Sequence, residues 1–98
     1  MQHSEYIAIP SLCTHYQIEM SFFDTLSDYG LIEIITVEKS HCIHQDKIAD
    51  VEKMIRLNKE LNLNFEGIDT VFNLLEKIEK LQDDLISARN RLKRYEDI

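Results

Sequence analysis

The C-terminal third of the chain carries an apolar repeat that a globule of 98 residues cannot cover by itself. Val71, Leu74, Ile78, Leu81, Leu85, Ala88, Leu92 and Tyr95 recur in alternating steps of three and four. That is a coiled-coil register, and Leu75 and Ile86 widen its stripe. As one helix from Ile68 to Tyr95, the segment would reach about 42 Å at about 1.5 Å per residue. Its first half, Val71 to Leu81, is expected to serve as internal core. Its second half, Leu85 to Tyr95, needs a partner helix from a second copy or from another protein.

The rest of the chain must then form a small domain, and the spacing divides it at residues 1–66 and 67–98. Tyr6 to Pro10 reads as an extended strand or strap, because the residue before a proline avoids the helical region. Pro10 and Ser11 open a two-turn helix in which Leu12 and Tyr16 share a face, ending near Gln17. Phe22, Phe23, Leu26 and Tyr29 then recur at helical spacing, which predicts a second short helix over Ser21 to Tyr29. Gly30 supplies the left-handed residue that stops it. Two short helices joined by a tight turn make a helix-turn-helix.

Ile32 to His44 is rich in Ile, Val and Thr and predicts a two-stranded hairpin, or wing, turning at Glu38 to Ser40. A regular strand would set Ile32, Ile34 and Thr36 against Glu33, Ile35 and Val37. A lone hairpin is marginal in water, so its apolar side should lean on the helices. From Gln45 the period returns to that of a helix, with Ile48, Val51, Met54, Ile55 and Leu57 inward as far as about Leu61. Asn62 to Phe65 is a joint, after which the long helix begins. The fold class is therefore mainly α, with a small β-hairpin wing and a long C-terminal helix.

Charge bears on what such a domain can read. The formal net charge is -7. Residues 1–50 hold Lys39 and Lys47 against eight carboxylates, so the acid is concentrated there. Ser21 to Ile32 contains no lysine or arginine. Base edges are read by Arg, Lys, Asn or Gln and phosphates are gripped by Lys and Arg, so an acidic second helix disfavours nucleic acid. It suits a basic protein partner instead. Asp24, Asp28, Glu33 and Glu38 are the candidate acidic contacts, with Phe22 and Tyr29 as aromatic anchors wherever they escape the core. The competing reading is that these aromatics are core and the acids an ordinary solvated face.

The order of elements resembles the MerR-like winged helix-turn-helix group, and within it the CbpM-type chaperone modulators. The likeness is carried by Leu12-Cys13, by Tyr29-Gly30-Leu31-Ile32 closing the second helix, by the short wing, and by the segment KIADVEKMIRLNKELNLNFEGIDTVFNLLEKIEKLQ with its NLNFEGI joint. It covers nearly the whole chain. It implies a protein that binds and inhibits the J-domain of a DnaJ-like co-chaperone, CbpA. It also implies the antiparallel helix pairing by which MerR-like regulators dimerise. The sequence departs from the DNA-binding members in lacking their basic residues on the second helix and wing. It also has Gln17 and Ile18 in a turn where many relatives carry glycine. The alternative reading is a DNA-binding MerR-like regulator using Arg89, Arg91, Lys93 and Arg94, a cluster that also suits a helix C-terminus.

Other chemistries find little support. His41, Cys42 and His44, with Cys13 and His15, lack the ligand spacing of structural zinc sites. Cys42 is better placed against the helices and the histidines in solvent, so no metal or cofactor is expected. Cys13 and His15 are two apart on a helix and point to different faces, which makes a poor catalytic pair. With two glycines in the chain, phosphate-cradling loops and nucleophile elbows are absent. No apolar run approaches the roughly 18 residues of a membrane span. The expectation is a non-enzymatic cytoplasmic protein with reduced thiols.

Overall fold

The computed structural model describes residues 5–96. The chain runs β1 (Tyr6–Ala8), α1 (Ile9–Tyr16), α2 (Met20–Asp28), β2 (Ile35–Val37), β3 (Ser40–His44), a 3-10 turn (Gln45–Lys47), α3 (Ile48–Leu61) and α4 (Phe65–Glu96). It separates into two compact units, Met1–Ile68 and Asp69–Ile98, so the first turn of α4 belongs to the first unit.

The strap does more than was expected of it. Instead of a two-stranded hairpin there is a three-stranded antiparallel sheet in the order β1-β3-β2. Tyr6 faces His44 and Ala8 faces Cys42 on one side of β3, while Ile35 faces Cys42 and Val37 faces Ser40 on the other. A third strand relieves the instability of an isolated hairpin. Ile32 to Ile34 lies outside the sheet, so the alternation expected there is confined to Ile35–Val37. The hairpin turns through Glu38 and Lys39 alone, both left-handed at φ 50° and 68°, as a two-residue turn between right-twisted strands requires.

Helix ends in the first unit use one device three times. After α1, Gln17 is left-handed at φ 58° and the Ile18 N–H donates to the Cys13 carbonyl at 3.0 Å. After α2, Gly30 takes φ 75° and the Leu31 N–H donates to Leu26 at 2.9 Å. After α3, Asn62 takes φ 57° and the Leu63 N–H donates to Leu57 at 3.1 Å. These closures satisfy carbonyls that would otherwise be orphaned. Gln17 holds a conformation that costs an L-residue about 1–2 kcal/mol. Gln17→Gly is therefore expected to raise stability by up to about 1 kcal/mol after glycine's own entropy cost, read from the denaturation midpoint.

The core of the first unit is apolar throughout. Ile9 and Leu12 of α1, Phe23 and Leu26 of α2, Ile32, Cys42 and Ile43, Val51, Met54 and Ile55 of α3, and Ile68 at the start of α4 are all buried. Cys42 and Ile43 are neighbours on the central strand and point to opposite faces, so both faces of the sheet are covered there. Asn64 opens α4 by accepting the Gly67 N–H on its side-chain oxygen at 2.8 Å, an N-cap that starts the helix three residues earlier than expected.

Tyr16 ties α1 to α3 at both ends of its residue. Its hydroxyl donates to the Glu52 carboxylate, and its carbonyl accepts from the Lys59 ammonium at 3.1 Å. The bond to Glu52, then burial and the carboxylate's charge, push the Tyr16 phenol above its ordinary pKa of 10.0. A folded pKa above the unfolded one means that the unfolded chain loses the proton first as pH rises. The bond's contribution is thus complete below pH 10.0 and fades above it. Tyr16→Phe is expected to cost about 0.5–1 kcal/mol at neutral pH, with the difference from wild type closing as denaturation is repeated at increasingly alkaline pH.

Candidate partner-binding surface

Helix α2 decides what the helix-turn-helix can present. At about 100° per residue, Ser21, Asp24 and Asp28 fall on one side and the buried Phe23 and Leu26 on the other. All three of Ser21, Asp24 and Asp28 are exposed. The outward face of the helix thus offers two carboxylates and a hydroxyl, with no cation and no amide. Asp24 lies close enough to α1 to act on Cys13. Burial raises that thiol's pKa, a backbone hydrogen bond partly offsets it, and the Asp24 charge adds a smaller push upward. A thiol so held is a weak nucleophile at neutral pH.

The aromatic candidates lie elsewhere. Phe22 is turned about 160° from Asp24 and about 120° from Asp28 around α2. Its ring meets Phe65 at 5.3 Å between centroids and the edge of Phe23 at 5.7 Å. Tyr29, two helical turns on, stacks on the same Phe65 at 6.2 Å and 19° and stays 39% exposed. Phe65 therefore joins Phe22 and Tyr29 in one aromatic cluster. Sequence reading placed Phe65 only in the joint, because nothing local indicates that the start of α4 comes to the end of α2. Glu33 lies in the segment between Gly30 and β2, and Glu38 in the hairpin turn; both are exposed. The six expected contacts thus divide into an aromatic cluster, an acidic helix face and two acids on the wing side.

Beside the cluster lies a wide-mouthed groove of about 360 Å³. The inter-helix turn (Gln17, Ile18 and Glu19) forms one wall, Ser21, Phe22 and Thr25 of α2 a second, and Asn58, Lys59 and Phe65 a third. The groove belongs wholly to the first unit.

Along α4 the apolar stripe is bare. Val71 is half-buried, while Leu74, Ile78 and Leu81 are 52%, 50% and 66% exposed. The stripe's steps put these residues on one helical line. Leu85, Ala88, Leu92 and Tyr95 are exposed as well.

Among the described residues, no three His, Cys, Asp or Glu side chains form a group that could hold a metal ion. His44 instead accepts the Asp46 N–H on Nδ1 at 3.1 Å and meets Tyr6 edge-on. No described helix is long and apolar enough to cross a membrane.

A helix-turn-helix, a small sheet with a two-residue turn at its tip and a long C-terminal helix make up a winged helix-turn-helix architecture. The chain belongs to the MerR helix-turn-helix regulatory family, whose sequence model matches residues 7–90. It is similar to the chaperone modulatory protein CbpM of Pseudomonas entomophila, at 21% identity over 86 residues covering 87% of this chain and 85% of that one. The CbpM of Escherichia coli is 26% identical over 88 residues, covering 89% and 87%. No solved structure matches the chain.

Proposed function

We propose that this protein is a chaperone modulator that binds the J-domain of a DnaJ- or CbpA-type co-chaperone and inhibits it. The observation that carries the reading is the exposed face of α2, where Ser21, Asp24 and Asp28 stand in place of the residues that read bases and grip phosphates. The similarity to proteins named chaperone modulators supports it over most of the chain. A basic helix on the partner would complement that face, and the acidic N-terminal half would steer its approach. The test is capture of bound proteins from the cell's own lysate, with and without nuclease, identified by mass spectrometry. A J-domain protein recovered equally from both supports the reading. Material recovered only with intact nucleic acid, and no J-domain protein, favours a DNA-binding regulator.

The stripe on α4 is proposed as a seam between two copies. Between residues 65 and 84 the helix carries six carboxylates and two lysines, and between 85 and 96 it carries four cations and one carboxylate. Antiparallel pairing lays each acidic half on the partner's basic half while burying Leu74, Ile78, Leu81, Leu85 and Leu92. Leu85→Glu with Leu92→Glu is expected to halve the mass found by light scattering. A wild-type chain that already has the mass of a monomer would contradict the seam.

A further inference from the structure

The groove beside Phe22 has a chemistry of its own. Three of its polar side chains already make hydrogen bonds: the Thr25 hydroxyl donates to the Ser21 carbonyl at 2.9 Å, Asn58 Nδ2 donates to the Leu63 carbonyl at 3.0 Å, and Lys59 Nζ donates to the Tyr16 carbonyl at 3.1 Å, while Gln17, Glu19 and Ser21 also line it. No described buried side-chain nitrogen or oxygen is left without a partner. Its apolar wall is made by Ile18, Phe22 and Phe65.

Glu19 also lines the groove, exposed and without an ion pair among the described residues. It belongs to the acidic half of the chain, where two lysines stand against eight carboxylates. The occupant that fits is thus apolar at its tip and cationic beside it. An amphipathic helix presenting one bulky apolar residue next to a lysine or arginine has that form.

We propose that this groove is the anchor site for the partner: one bulky apolar side chain of a partner helix seats against Phe22, Ile18 and Phe65, and a neighbouring cation pairs with Glu19. The inference rests on the chaperone-modulator reading, in which the helix belongs to the J-domain. It gives the two surfaces separate work. Asp24 and Asp28 speed encounter at long range, whereas the desolvated anchor in the groove sets how long the complex lasts.

The test fills the groove rather than emptying it. Thr25→Trp and Ser21→Trp place an indole in the space. Thr14→Trp on α1, which removes an equivalent hydroxyl bond to the carbonyl four residues earlier, leaves the groove untouched. Binding kinetics are measured against the intact CbpA-type co-chaperone of the same cell, after a melting curve has shown each variant folded. Should Thr25→Trp not fold, the exposed Ser21→Trp carries the comparison.

The expected result is affinity weakened by about thirtyfold in both groove variants, mainly through faster dissociation, with Thr14→Trp unchanged. Folded groove variants that bind like wild type would overturn the anchor site while leaving the chaperone-modulator reading standing. A wild-type chain that does not bind the co-chaperone would end that reading and the inference with it. Groove variants whose mass by light scattering changes while co-chaperone binding does not would mean that a second copy occupies the groove, and would overturn the proposal.

Discussion

Phe23→Ala is expected to lower the stability of the first unit by about 3–5 kcal/mol, the cost of removing a fully buried aromatic ring and leaving a cavity. Phe23 has no exposed surface and holds the Phe22 ring edge-on, so the loss reaches the aromatic cluster as well as the core. Domains of this size have stabilities of roughly 5–15 kcal/mol, so the variant should melt about 15–30 °C lower. A melting temperature within a few degrees of wild type would mean that α2 is not anchored through this residue. The partner surface would then lack the rigid support ascribed to it.

The second large effect concerns charge. Asp24→Lys with Asp28→Lys puts two cations on the outward face of α2. Association with the J-domain protein is expected to slow by about tenfold at low salt, and the difference should shrink as salt screens the field. Both side chains are exposed and outside the core, so the fold should persist. Unchanged association at low salt, with a normal melting curve, would remove α2 from the recognition surface.

Much of the architecture could be read locally. Phe23 and Leu26 stand three apart, Val51, Met54 and Ile55 follow one helical face, and Gly30 sits where a helix must stop; each of these signals lies within a single turn or helix. What could not be read depends on contacts between distant segments. The pairing of Tyr6–Ala8 with β3 turns a hairpin into a sheet, yet no residue in the strap announces its partner. Gln17 takes a left-handed conformation that its residue type disfavours, because the turn between α1 and α2 demands it.

The candidate surface was legible in its residue types more than in its geometry. The absence of cations from α2 and the excess of acid in the first half are plain in the sequence. Phe22 and Asp24, however, are two residues apart and cannot share a helix face, so the separation of aromatic from acidic contacts was open to simple arithmetic. The part played by Phe65 was not. It meets Phe22 and Tyr29 only because α4 begins beside α2, and with Lys59 and Asn58 it walls a groove to which no short stretch of sequence points.

The most direct test of the central claim is calorimetric titration of the purified chain with the intact CbpA-type co-chaperone at low and high salt, alongside duplex DNA. The expected result is saturable heat with the co-chaperone that weakens as salt rises, and none with DNA. Saturable binding to DNA, with no heat from the co-chaperone at either salt, would contradict the account.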